Sequence, residues 1–411
     1  MSAHSPIASP LPSMPALLLS HFTATSSIGR GLDETLVSLR EQRSGLKPCD
    51  FDSADLQTWT GAVDAVDKEA IRSDLRAFNC RNNRLAQIGL RQDGFDQAVL
   101  AAAARCGKRR VGVFLGTSTS GILETELAYR ARDPATGALP AGFVYAGSHN
   151  PFSVTAFVRD YFGLEGPAMT VSSACSSSAK VFASARRMIA AGLIDAAVVG
   201  GVDSLCLTTL YGFNSLDLLS PDPCRPFDIA RKGISIGEAA AFVLLEKLPG
   251  SLDADAVLLR GVGESSDAHH MSAPHPEGRG AIAAMHQALA SAGLQPGSID
   301  YINLHGTATP SNDAVEGSAV AEVFGERALP CSSTKGATGH TLGAAGGLEA
   351  VISALALQQG FMPGGVNTDS LDPALPVDYL LHNRDKPLQY VLSNSFGFGG
   401  TNCSLILGRA Q

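Results

Sequence analysis

The chain has 411 residues, 45% of them hydrophobic, enough to bury a large core and more than one simple domain ordinarily needs. Its 31 basic and 39 acidic side chains leave a formal charge of −8, so the overall balance gives no electrostatic reason for nucleic acid or an anionic membrane as partner. Eight scattered cysteines with no CxxC pair argue against a secreted disulfide framework and a zinc module, and point to reduced thiols in the cytoplasm.

In chain order, residues 1–15, "MSAHSPIASPLPSMP", are rich in Pro and Ser and lack the basic start of a signal peptide, which predicts a disordered tail. No run of about 18 uninterrupted apolar residues follows, so no membrane-spanning helix is expected. Short apolar runs at 110–116, 196–202, 240–247, 256–263 and 301–306 have the look of buried strands. They alternate with helical patterns at 176–191, 280–292, 313–324 and 343–359, the last rich in Ala and Gly and suited to close helix packing. The alternation predicts two fused α/β units, 16–250 and 251–411. The Pro, Gly and Asp of "LPGSLDADA" (248–256) mark the seam between them.

Three places carry chemistry. "TVSSACSSS" (170–178) puts Cys175 between a strand-like run and a helical one. A sharp turn there lifts the sulfur to a helix N-terminus, where free N–H groups stabilise a thiolate or hold an oxyanion. The plainer role is a buried core thiol, since free cysteine is among the most buried residue types. "NLHGTATPSNDAVE" brings His305, and "SSTKGATGHTLGAAGG" brings Lys335 and His340, in small-residue loops after strands, where α/β enzymes carry their catalytic groups. Taken singly, these side chains would be structural hydrogen-bonders and a surface charge. No carboxylate or third histidine lies at ligand spacing, so no metal is expected.

Together with "RPFDIARKGISIGEAAA" and "SNSFGFGGTN", these stretches resemble the β-ketoacyl-[acyl carrier protein] synthases, the elongating condensing enzymes with a Cys-His-His site. The resemblance spans roughly residues 15 to 410. It implies a thiolase-like α/β fold of two similar halves in five αβαβα layers, usually dimeric, with a homotypic or a related synthase-like partner subunit. It implies decarboxylative condensation of an acyl thioester with malonyl-[acyl carrier protein], without a cofactor, the substrates riding on phosphopantetheine. Cys175 would take the acyl group and His305 and His340 would bind the malonyl carbonyl, with Lys335 supplying positive charge and Glu316 as its partner. The Phe398 N–H would complete an oxyanion hole and its ring would act as a gate. Thr307, Thr309 and Phe396 would contact substrate.

The initiating relatives use Cys-His-Asn, whereas His340 stands here; chain-length-factor partners lack the nucleophile, whereas Cys175 is present. A thiolase working on coenzyme A thioesters is the alternative enzyme, and a non-catalytic carrier-docking subunit the alternative of another class. A thiolase needs a second catalytic cysteine, and Cys403, on a strand-like run, suits core packing better. Two departures stand out. "GEAAA" replaces the family's Gly-rich "GEGAG", and Thr119 replaces an apolar or glycine residue at the acyl-pocket floor, which with "CRNNRLAQ" (80–87) resembles the synthases of aryl-polyene pathways. Finally, Lys68, Arg72 and Arg76 recur every four residues, which on a helix stacks them on one face and suggests a docking patch for an acidic carrier.

Overall fold

A computed structural model describes residues 14–410. The first half builds a sheet from β1 (Leu17–Ser26), β2 (Val111–Gly116), β3 (Ala168–Val171), β4 (Ala196–Asp203) and β5 (Ala239–Lys247). Their order is β1-β5-β4-β2-β3, with the first two pairings antiparallel and the last two parallel. The second half repeats the pattern with β6 (Val257–Ser266), β7 (Tyr301–Asn303), β8 (Pro330–Ser332), β9 (Tyr390–Gly397) and β10 (Thr401–Arg409). Here the order is β6-β10-β9-β7-β8, again two antiparallel and then two parallel pairings. Even the irregularities correspond: β1 shifts register between Leu19 and His21, and β6 between Leu259 and Gly261. β1 and β6 meet at Leu17 and Leu18, which joins the sheets.

The strands are continuous Val, Leu and Ala runs because both faces are covered; every residue of β2 and β4 is buried. Between the sheets lie α2 (Ser177–Ala190) and α6 (Ala345–Gln359), each following the third strand of its half. α6 is apolar on all sides, and residues 345–357 are buried throughout, as expected of a helix with protein on every face. α1 (Arg81–Leu90) covers the first sheet, and α4 (Arg279–Ala292) and α5 (Pro310–Phe324) the second. Where the two central helices and β4 approach most closely, only small residues fit. A Cβ on Gly346 would sit 2.7 Å from that of Ala179, and one on Gly201 2.6 Å from that of Ser178.

The expected helices are present with ends moved by up to three residues, and 248–256 lies between β5 and β6. Residues 1–13 of the expected tail lie outside the described residues. Met14 and Pro15 do not fit the disordered tail expected over 1–15, because the buried Arg186 guanidinium donates to both their carbonyls. Among the described residues no helix is long and apolar enough to cross a membrane.

The two unusual motifs meet. Arg81 of "CRNNR" grips Glu238 of "GEAAA" with Nε at 3.0 Å and Nη2 at 2.6 Å, and Glu238 also accepts the Val63 and Leu205 N–H groups at 2.8 and 2.9 Å. The alanines after Glu238 lie fully buried in β5, and a Cβ on Gly89 of α1 would come within 3.0 Å of that of Ala240. Breaking such a buried pair strands a charge, so Arg81→Met should lower stability by about 3–5 kcal/mol, seen as a lower urea midpoint. A loss below about 1 kcal/mol, the scale of an exposed pair, would show that this pair does not hold α1 on the sheet.

Candidate active site

After β3 the chain turns through Ser172–Ser176 with Ala174 at φ 50°, and α2 begins at Ser177. The serines of "SSACSSS" tie this turn. Ser177 Oγ donates to the Ala174 carbonyl at 2.6 Å and accepts the Ser173 N–H at 2.9 Å, while Ser176 Oγ donates to the Ser173 carbonyl at 3.0 Å. Cys175, 5% exposed, is thereby held at the helix entrance, where the backbone N–H groups of Phe398 and Cys175 favour its thiolate form.

His340 Nε2 lies 3.0 Å from Cys175 Sγ. Its backbone is clamped to "ISIGE": its N–H donates to the Ser235 carbonyl at 2.7 Å and its carbonyl accepts the Gly237 N–H at 3.0 Å. His305 sits edge-on to His340, ring centroids 5.3 Å apart at 84°, with Phe396 6.1 Å beyond. The His305 and Gly306 N–H groups each donate to Glu316 at 2.7 Å. Lys335 Nζ donates to the His305 carbonyl at 2.5 Å and lies 3.4 Å from His305 Nδ1.

The expected partnership of Lys335 with Glu316 is corrected: Lys335 pairs with Glu349 of α6. Glu316 is spent on the backbone turn of His305, where both its oxygens are already taken. Glu349 was missed, although it is the lone charge in an otherwise apolar helix and so had to meet a cation.

Burial pushes the Cys175 thiol up to about 11, against the Lys335 charge and the two N–H groups that favour the thiolate. Burial, then Lys335, holds both histidines well below the usual imidazole range, so they are neutral. Each Nδ1 faces a donor, the Leu342 N–H at 3.3 Å for His340 and the Lys335 ammonium for His305, so each Nε2 carries the proton. The Cys175, His305 and His340 ligand atoms lie within 4.8 Å of one another. A metal-bound histidine, however, donates its second N–H to an acceptor; here both second nitrogens accept. The arrangement is a pair of N–H donors beside a thiol.

A cleft leads to these groups, lined among others by Thr307, Thr309, Phe396 and Phe398. The two threonine hydroxyls are 2.9 Å apart, and the Phe398 ring rests 5.7 Å from that of Phe213 in α3 (Leu207–Ser215). Cys403 is fully buried in β10 and does not join the site.

Two further expectations are corrected. The Thr119 hydroxyl is not left unpaired at a pocket floor: it donates to Asp203 at 2.8 Å, accepts the Ser204 N–H at 3.2 Å, and does not line the cleft. Lys68, Arg72 and Arg76 do not share a helix face. Lys68 ends one short helical turn, Glu69–Arg72 intervene, and Arg76 lies in the next turn, 73–78. Arg72 is occupied by Asp74, the Tyr161 carbonyl and the Tyr161 ring. The period of four was present in the sequence, but the helix was not.

The Beta-ketoacyl synthase N-terminal domain matches residues 22–250 and the C-terminal domain 256–369. The chain is 33% identical over 400 residues to 3-oxoacyl-[acyl-carrier-protein] synthase 2 of Coxiella burnetii, covering 93% of this chain and 96% of that one. Among solved structures it resembles the ketosynthase ApeO, in complex with its chain length factor ApeC, from Xenorhabdus doucetiae: TM-score 0.86, 40% identity, all of both chains covered. The ishigamide ketosynthase/chain length factor gives TM-score 0.86 at 28% identity over 96% of this chain and 99% of that one. The chain belongs to the beta-ketoacyl synthase family, with its thiolase-like fold. It is an acyltransferase that forms carbon–carbon bonds and makes 3-oxoacyl products.

The histidines set a pH signature. With folded values below the ordinary 6.5, they take up protons only on unfolding, so their contribution is full above pH 6.5 and is lost as pH falls below it. Glu316 and Glu349, raised to about 7 by burial, act oppositely between 7 and their ordinary 4.5. The wild-type curve is therefore partly flattened, and a difference isolates the histidines. From pH 6.5 to 5, a His305→Gln/His340→Gln protein should gain about 1–4 kcal/mol relative to wild type in urea unfolding. Parallel curves would mean that the histidines are not buried neutral.

Proposed function

We propose that the protein condenses a Cys175-bound acyl group with malonyl-[acyl carrier protein], releasing carbon dioxide, and that it does so without a cofactor. The observation that carries the reading is the Cys175 sulfur 3.0 Å from the His340 Nε2–H, with His305 edge-on beside it and the outer nitrogen of each ring held by a donor.

In the first half-reaction the Cys175 sulfur attacks the acyl thioester carbonyl, its proton passes to the departing carrier thiolate, and the oxyanion rests on the Cys175 and Phe398 N–H groups. In the second, the carbon–carboxylate bond of the malonyl thioester breaks. Its electron pair enters an enolate whose oxygen accepts the His305 and His340 Nε2–H bonds. Because both histidines are neutral donors, they stabilise this charge without first giving up a proton. The carbanion then attacks the acyl carbonyl, the C–C bond forms, and the Cys175 thiolate leaves and takes a proton from solvent water. Thr307 and Thr309 offer hydroxyls along the phosphopantetheine path, and the Phe398 ring, which Gly399 and Gly400 follow at φ 79° and 74°, closes the cleft over loaded Cys175.

The partner subunit in this reading is a synthase-like chain of the chain-length-factor kind. Support comes from ApeO and the ishigamide ketosynthase, both paired with such a factor. The cytoplasm is the compartment in this reading, supported by eight cysteines that form no disulfide among the described residues. The exposed Lys68 and Arg76 are the part of the basic stretch still open to an acidic carrier.

Division of labour is the test. Cys175→Ala should form no acyl adduct by intact mass and no condensation product, yet still decarboxylate malonyl carrier. His305→Ala and His340→Ala should each lose about 100-fold to 1,000-fold in decarboxylation while Cys175 still acylates. Condensation by Cys175→Ala, or wild-type decarboxylation by either histidine variant, would overturn the assignment.

A further inference from the structure

The reaction scheme leaves several buried ionisable groups unused, and Asp203 is the one among them that joins both sides of the site. Asp203 ends β4, is 0% exposed, and touches only uncharged donors. These are the Thr117 hydroxyl at 2.6 Å, the Ser118 N–H at 2.8 and 3.0 Å, the Thr119 N–H and hydroxyl both at 2.8 Å, and the Gly343 N–H at 2.5 Å. Burial pushes the Asp203 carboxyl up, and the surrounding hydroxyl and N–H donors pull it back towards the ionised carboxylate. A lone buried anion is tolerated only when so many donors satisfy it.

Its partners belong to both halves of the site. Ser118 Oγ donates to the carbonyl of Ala174, the residue before Cys175, at 3.3 Å. Gly343 lies three residues after His340, beyond the Leu342 N–H that orients the His340 ring. The approach is so close that a Cβ on Gly343 would lie 2.7 Å from both Asp203 Oδ2 and the Ser118 nitrogen, which accounts for glycine at that point of "TLGAAGG". Leu205, two residues on, donates to Glu238, so the Arg81 pair buttresses the same corner.

We propose that Asp203 is a positioning residue: its carboxylate locks the loop behind Cys175 to the segment that carries His340, and so sets the sulfur–imidazole geometry of the resting enzyme. The proposal rests on Cys175 as nucleophile and His340 as donor. It has an electrostatic consequence that a mere scaffold would lack. The charged and titratable groups facing Cys175 are His340, His305, Lys335 and Asp203. Asp203 opposes ionisation of the thiol while Lys335 favours it. Removing the carboxylate charge therefore eases thiol ionisation even as it loosens the loop, since an asparagine amide would turn its own N–H groups toward N–H donors.

The test follows iodoacetamide alkylation of the Cys175 peptide by mass spectrometry against pH in the full-length protein, a readout that needs no turnover. Local loosening would speed alkylation at every pH and, by hydrating the buried thiol, would lower the midpoint as well, so the midpoint reports charge and hydration together and the kcat against KM split carries the positioning claim. Asp203→Asn should move the midpoint below the one measured for wild type, which burial holds above the ordinary thiol range, by about half a unit or more. It should also lower kcat for condensation by about tenfold or more, through displaced donors, with KM for malonyl thioester within about twofold. Asp203→Ser, which brings no amide to oppose the backbone donors, should move the midpoint the same way and serves if the first variant folds poorly. An unmoved midpoint in both variants, or an unchanged kcat in Asp203→Asn, overturns the proposal. If no alkylation falls on Cys175 in wild type at any pH, it is the nucleophile assignment beneath the proposal that fails.

Discussion

A single buried ammonium governs the chemistry of this protein. Lys335 is 1% exposed, is balanced by Glu349 from the central helix, and reaches both the carbonyl and Nδ1 of His305. A cation in that position does three things at once. It adds to the burial that keeps the two nearby imidazoles from protonating, it presents a donor to His305 Nδ1 so that the Nε2 proton points into the site, and it offsets part of the burial that keeps Cys175 a thiol. The resting site therefore holds no imidazolium–thiolate pair. It is a neutral thiol beside two neutral donors, prepared for negative charge that appears only during reaction.

The duplicated fold supplies the addresses. Cys175 follows β3 and His340 follows β8, the third strand of each half, and each precedes a helix of the central layer. His305 follows β7, and the Thr117–Thr119 loop, bound by Asp203, follows the matching strand β2. Phe398 follows β9, and Asp203 ends the matching strand β4. Six equivalent strand ends thus converge, four used for chemistry and two for support. The glycine contacts between α2, α6 and β4 bring the halves close enough for a sulfur from one to meet an imidazole from the other.

The sequence made the reacting groups legible because they sit in small-residue loops after apolar runs, a pattern that few other requirements produce. Their supports were hidden for a physical reason: support is a matter of which donors happen to face a group, and spacing along the chain does not encode that. Glu316 was rightly singled out, yet its oxygens meet backbone N–H groups and leave Lys335 to Glu349. Thr119 was singled out as a polar anomaly, yet a carboxylate 84 positions away in sequence satisfies its hydroxyl. The duplication was invisible in composition because it resides in pairing order and register. The Lys68, Arg72 and Arg76 period failed because a four-residue spacing has meaning only where the backbone is helical, and Glu69–Arg72 break it.

The central claim is the protonation state of the resting site, and imidazole nitrogen NMR on histidine-labelled protein at neutral pH tests it most directly. The account predicts that His305 and His340 both show the neutral ring with the proton on Nε2, and that Cys175→Ala leaves both unchanged. An imidazolium signal from His340 that disappears in Cys175→Ala would contradict it, because it would place an ion pair where the structure places a thiol and a donor.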